Sequence, residues 1–137
     1  KVVGSLLTLT AYKLLYNIAA LSTDTTKYLS VFGSLALSMA YPIYSIKGSL
    51  LWVSGTNPSG ISLTTWTNCI INSILQRYAF FRSPRSARFR FRECVSLMVY
   101  GDDNAAGVSS EVKWFNHTTI ATSLQQCGIE YTMPEKE

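Results

Sequence analysis

Charge is scarce in this sequence of 137 residues: Asp, Glu, Lys and Arg make up 15% of it, against 47% hydrophobic residues. Disordered chains show the opposite balance, so a packed core is expected. That charge is also low for an ordinary soluble surface, and some apolar surface is expected to be covered by a partner. Histidine and cysteine are sparse, with one His and three Cys. Cys69, Cys94 and Cys127 lie far apart and form no Cys-x-x-Cys pair, and the histidine is His117. A zinc site is therefore not expected. An odd thiol count without a secretory leader fits a reducing compartment, with three buried thiols as the simplest reading. Internal repeats and low-complexity linkers are absent. Residues 28–46 carry no charge and approach membrane-spanning length. Gly33, Pro42 and serines 30, 34, 38 and 45 interrupt that run, and Pro42 would break a helix. A buried helix followed by a strand is expected there, without a transmembrane span.

What is present is mildly basic: the net charge is +4 and the pI about 9.1. That balance is compatible with a nucleic-acid partner without establishing one. The length suits one domain with a modest core. Lys1 is not preceded by methionine, and no closing element precedes Glu137, so the sequence reads as an excerpt from a longer polypeptide.

Periodicity divides the chain. Residues 5–21 read as a helix, with Leu7, Leu14, Ile18 and Leu21 at helical spacing. Thr23 or Asp24 can cap a second helix to about residue 40, whose apolar face is Leu29, Phe32, Leu35 or Ala36, and Met39. Residues 41–46 and 50–53 flank Lys47-Gly48-Ser49 as a hairpin. A Ser/Gly/Asn/Pro loop over 54–60 precedes a helix over 62–80. Residues 81–87 read as a basic turn, 89–99 as a strand, 101–104 as a tight turn and 105–108 as the returning strand. A helix over 115–127 would end at Gly128 in a left-handed cap, and 129–133 would be a short strand. The implied class is α+β. Without the extra hairpin, the order is that of a ferredoxin-like split βαβ unit lacking its first strand.

Asp102 and Asp103 are adjacent carboxylates at an expected hairpin tip. They would repel unless a cation sits there. Hard oxygen ligands on a tight turn suit Mg²⁺ or Mn²⁺, which keep positions open for water and phosphate. Gly101 permits close approach, and apolar residues 95–99 would anchor the turn. Alone, Gly-Asp-Asp-Asn is better read as a plain hairpin turn; the apolar strand before it and a second signature upstream favour the metal reading. Upstream, Thr64 and Asn68 share a helix face, with Ser59 and Gly60 just before its start. Asn72 continues that face. Such a loop and helix start can hydrogen-bond a sugar; an N-cap followed by a solvated polar face explains the same residues.

Ser59-Gly60-x-x-x-Thr64-x-x-x-Asn68 resembles motif B, and Tyr100-Gly101-Asp102-Asp103 motif C, of positive-strand RNA virus RNA-dependent RNA polymerases. With Pro58 before Ser59, the resemblance is greatest to the picornavirus-like group. Residues 114–118, the following helix and Tyr131-Thr132-Met133 resemble motif D of picorna-like viruses, including marine environmental ones. Ser5-Leu6 resembles the tail of motif A. The resemblance implies one partial polymerase palm over 1–137: 1–21 the motif A tail and helix, 41–53 a hairpin, 54–80 motif B, 93–108 motif C and 114–137 motif D.

It further implies RNA-templated RNA synthesis by a two-metal mechanism in viral genome replication, with Mg²⁺ or Mn²⁺ as cofactor. The partners would be template-primer RNA, nucleoside triphosphates and the fingers and thumb of the same polymerase. The location would be the host-cell cytoplasm, at membrane-associated replication complexes. Asp102 would be a principal metal ligand with Asp103 in support. Ser59 and Asn68 would sense the ribose 2′-hydroxyl, supported by Thr64, and Gly60 would let the loop change shape. Lys136 matches the lysine proposed to protonate pyrophosphate; a solvated terminal lysine is the alternative. With Gly4-Ser5-Leu6 as the motif A tail, Val3 stands where the motif's second aspartate, the one near the ribose, is expected. The first, for the metals, would lie before Lys1. The isolated piece would then lack a required metal ligand and be inactive.

Arg82, Arg85, Arg88, Arg90 and Arg92 crowd between the two motifs. Arg88, Arg90 and Arg92 alternate with Phe89 and Phe91, giving a basic strand face. That face would contact RNA phosphates, form a charge-protected edge or contact another part of the same polymerase. His117 is expected to cap a helix or lie at the surface, and Trp52, Trp66 and Trp114 to pack. A reverse transcriptase palm also carries Tyr-x-Asp-Asp, although the Ser59/Thr64/Asn68 set argues for ribose reading. A non-catalytic membrane or RNA-binding segment is the remaining alternative.

Overall fold

A computed structural model of the chain describes residues 4–21, 28–53 and 58–132. It divides into two compact units, Lys1–Thr67 and Asn68–Glu137. The architecture is α+β, as expected, with two separate two-stranded antiparallel sheets.

In the first unit, α1 (Ser5–Ala20) begins after Gly4, whose carbonyl accepts from the Leu7 and Thr8 amides. The expected stripe of Leu14, Ile18 and Leu21 is exposed; Thr8, Ala11 and Tyr12 are buried instead. Aromatic packing accounts for the difference. Tyr12 and Tyr16 meet Phe32 of α2 (Leu29–Ala40), with ring centroids 6.4 and 6.2 Å apart. Serine hydroxyls within α2 donate to carbonyls one turn back, from Ser34 to Ser30 and from Ser38 to Ser34, which satisfies them without partners. Pro42 ends that helix. Strands β1 (Ile43–Ile46) and β2 (Ser49–Trp52) pair through a two-residue turn. Lys47 and Gly48 both have positive φ, 50° and 83°, as a type I′ hairpin requires. The hairpin leaves Leu50 and Trp52 exposed, so Trp52 does not pack as expected beyond its contact with Tyr41. Trp66 is exposed as well.

The second unit contains most of α3 (Thr64–Arg82), then α4 (Phe91–Cys94), β3 (Val95–Tyr100), β4 (Asp103–Val108) and α5 (His117–Gln125). Its core joins Ala79, Phe80, Phe91, Cys94, Val95, Val112, Phe115, Ile120 and Leu124. Phe80 has no exposed surface and meets Phe91, Trp114 and Phe115 at centroid distances of 5.1–5.3 Å. Strand alternation turns Val95 and Leu97 toward this core and leaves Met98 and Tyr100 on an exposed face. Only one face of the β3–β4 hairpin is therefore covered within the unit.

The expected strand over 89–99 is shorter. Pro84–Arg88 forms a 3₁₀ turn, started by Pro84 and by the Ser83 side chain accepting from the Arg85 amide. Phe91 and Cys94, three apart and both buried, form a helical turn, and β3 starts only at Val95. Residues 129–132 form no strand; Ile129 instead closes α5, its amide donating to the Leu124 carbonyl behind Gly128 at φ 72°. Of the thiols expected to be buried, Cys94 is, Cys69 is half-buried and Cys127 is exposed. Cys127 meets the Tyr78 hydroxyl at 3.1 Å, a hydrogen bond that raises the phenol above its ordinary pKa.

Candidate active site

The acidic turn is tighter than expected. Tyr100 pairs with Asp103 across the ladder, so Gly101 and Asp102 alone make the turn and Asp103 is the first residue of β4. Gly101 has φ 60°, a region that L side chains occupy at a cost. Asp102 and Asp103 are exposed, and neither has a salt-bridge partner among the described residues.

Helix α3 holds the turn from below. The Cys69 sulfur accepts from the Gly101 amide at 3.1 Å and lies 3.8 Å from the Val99 carbonyl. One turn later, the Asn72 amide nitrogen donates to the Asp102 and Asp103 carbonyls at 2.9 and 3.1 Å. The Asn72 side-chain oxygen accepts from Asn104 at 3.2 Å. The Tyr131 hydroxyl donates to the Asn104 oxygen at 3.1 Å and accepts from Gln76 at 3.4 Å. His117, expected as a cap or surface residue, stacks on Tyr131 with centroids 5.0 Å apart, while Asn116 supplies the cap by accepting from the Thr119 amide. This network was not anticipated. Asn72 on the Thr64/Asn68 face and Asn104 beside the acidic pair were its available signals.

The other expected site residues fall into separate groups. Ser59, Gly60 and Thr64 belong to the first unit. Gly60 has φ 86° within an exposed turn, and the Thr64 hydroxyl donates to the Pro58 carbonyl at 2.6 Å, tying that turn to the start of α3. Asn68 belongs to the second unit with Asp102 and Asp103, half-buried one helical turn before Asn72. Lys136 lies outside the described residues. Arg88, Arg90 and Arg92 do not alternate on a strand: Arg88 ends the 3₁₀ turn, while Arg90 precedes α4 and Arg92 lies within it. All three are exposed, and Arg90 reaches Glu93 at 3.5 Å.

The donor set suits a hard divalent cation held through one or two carboxylates, with water and phosphate completing its shell. Among the described residues no cluster of three or more His, Cys, Asp or Glu forms a closed metal cage. No helix among them is long and apolar enough to cross a membrane.

Adjacent aspartates exposed on a clamped hairpin turn of an α+β unit are the arrangement expected of a template-directed polymerase palm. The family model for viral RNA-dependent RNA polymerase matches residues 14–137, and the chain belongs to that family. It is 29% identical over 116 residues to the replicase polyprotein of Cricket paralysis virus, covering 80% of this chain and 6% of that protein. It is 34% identical over 105 residues to the RNA1 polyprotein of Tomato ringspot virus, covering 74% of this chain and 5% of that protein. The RNA1 polyprotein of Beet ringspot virus is 40% identical over 77 residues, or 55% of this chain and 3% of that protein. The chain is thus a picornavirus-like polymerase segment that spans a few per cent of these relatives' lengths. The match to this family favours neither the reverse transcriptase reading nor the non-catalytic one.

Proposed function

We propose that this chain is the partial palm, over 1–137, of a polymerase that copies RNA into RNA during viral genome replication. The observation carrying the proposal is the pair of exposed aspartates on a hairpin turn fixed to α3, in a chain of this family. In the reaction, the primer 3′-oxygen loses its proton and bonds to the α-phosphorus of a nucleoside triphosphate. The bond from that phosphorus to the bridging oxygen breaks, and pyrophosphate leaves with the electron pair. Mg²⁺ or Mn²⁺ bound at Asp102, with Asp103 in support, would stabilise charge on the attacking and leaving oxygens.

This chain's own residues contribute mainly positioning, which carries most of the catalysis in phosphoryl transfer. Asn68 and Ser59 would read the ribose 2′-hydroxyl, Thr64 would brace the Ser59 turn, and Gly60 would let that turn change shape. Lys136 would hold a proton for the leaving pyrophosphate. Arg88, Arg90 and Arg92 would contact RNA phosphates. Fingers and thumb of the same polymerase would complete the enzyme, working in the host-cell cytoplasm at membrane-associated complexes. The test is primer extension on an RNA template by the complete polymerase, with ribo- and deoxyribonucleotides compared. Templated incorporation that needs a divalent cation and prefers ribonucleotides is expected. Failure of templated synthesis overturns the function, and equal use of deoxynucleotides overturns the ribose-reading set.

A further inference from the structure

We propose that Asn72 is a positioning residue for the acidic turn, and that Asn104 and Tyr131 extend its control to the segment after α5. The inference rests on the polymerase reading above and assigns the elements that aim its carboxylates.

Asn72 is 7% exposed and lies in α3 beneath the turn. Its amide nitrogen has two hydrogens and meets two consecutive carbonyls, those of Asp102 and Asp103, at 2.9 and 3.1 Å. The Asp102 carbonyl lies in the peptide plane joining Asp102 to Asp103, and the Asp103 carbonyl in the plane after it. Holding both fixes the backbone on either side of the Asp103 Cα and after the Asp102 Cα, which constrains the Cα–Cβ bonds of the two aspartates. The Asn72 oxygen accepts from Asn104, so its amide cannot flip without losing all three bonds. Asn104 is oriented in turn by the Tyr131 hydroxyl, and Tyr131 by Gln76 and the His117 ring. Gln76 is one helical turn beyond Asn72 on the same face of α3. The chain of bonds therefore leaves α3, passes through the turn and Tyr131, and returns to α3. A shift of Tyr131 would reach the turn through Asn104.

A buried amide that merely joined a helix to a hairpin would affect stability alone. A positioning amide must also alter how the turn binds a cation. Removing residues that orient metal ligands typically costs about 10- to 100-fold in metal affinity or activity. Asn72 acts through backbone, so the lower end applies.

The experiment uses the complete polymerase and Mn²⁺ as probe. Binding is read by electron paramagnetic resonance without nucleotide, and single-nucleotide incorporation is read against Mn²⁺ concentration. Asn72→Ala is expected to weaken Mn²⁺ binding about 10-fold and to raise the half-saturating Mn²⁺ in parallel. Tyr131→Phe, which deletes one hydroxyl, should shift both in the same direction by less, and should add nothing in the Asn72→Ala background, because the residues act in one chain. Unchanged Mn²⁺ binding in Asn72→Ala overturns the proposal. If Asn72→Ala does not fold, Tyr131→Phe decides: a shifted Mn²⁺ affinity supports the proposal and an unshifted one overturns it. Asp102→Asn, run alongside, separates the two ideas. Active Asp102→Asn enzyme defeats the polymerase assignment of the turn, whereas inactive Asp102→Asn with unshifted Asn72 and Tyr131 variants defeats only this inference.

Discussion

Replacing Gly101 with alanine tests whether the turn needs its backbone geometry. A Cβ built at Gly101 meets nothing within 4 Å, so the substitution brings no clash. The cost lies in the backbone alone, because φ is 60°. A left-handed conformation costs an L residue about 1–2 kcal/mol, which corresponds to roughly a 5- to 30-fold change in an equilibrium constant. Gly107→Ala is the matched control in the same hairpin. Its Cβ would meet only Ser96 Cβ, at 3.8 Å, an ordinary contact, and Gly107 is not among the positive-φ glycines. Amide hydrogen exchange over residues 95–108 of the complete polymerase reads the difference. Gly101→Ala should exchange about 5- to 30-fold faster around the turn, with a loss of incorporation rate, while Gly107→Ala stays near wild type. Equal protection in the two variants would refute the reasoning that the turn depends on positive φ at Gly101.

Phe80→Ala empties the centre of the aromatic cluster, where Phe80 has no exposed surface, and should cost about 3–5 kcal/mol; unchanged hydrogen-exchange protection over residues 75–97 would contradict that core assignment. Lys136→Leu should slow single-turnover incorporation with little change in nucleotide affinity, and an unchanged rate removes Lys136 from the chemistry. Replacing Arg88, Arg90 and Arg92 with glutamine should flatten the dependence of RNA binding on salt, by roughly 0.7 in the log–log slope for each single-strand phosphate that is no longer neutralised. An unaltered slope assigns those side chains to solvent.

Local chemistry in the sequence foretold the parts of the fold that depend on it. The two hairpins, the long helix after Ser59 and the left-handed Gly128 each follow from turn residues and helical spacing, and each is found. Tertiary packing decided the rest. Phe89 and Phe91 alternate with arginines as a strand would, yet Phe91 packs with Phe80 and Phe115 beneath the Arg77 guanidinium, 4.7 Å from its ring. That environment, with buried Cys94 three residues on, makes a helical turn. On α1, leucine spacing pointed to one face, but the tyrosines that meet Phe32 select another. The acidic pair was legible through its place downstream of Ser59, Thr64 and Asn68, since Gly-Asp-Asp-Asn by itself is ordinary turn chemistry. The clamp beneath it was not, since an asparagine in a helix looks the same whether it meets solvent or a turn that lies 30 residues away in sequence.

The most direct measurement of the central claim is single-turnover nucleotide incorporation by the complete polymerase carrying Asp102→Asn. The side chain is exposed, so the fold should be retained, and thermal melting should match wild type. Incorporation should be abolished, because the substitution removes the carboxylate charge assigned to the metal. Near-normal turnover by a correctly folded Asp102→Asn enzyme would contradict the assignment of this turn as the catalytic metal site.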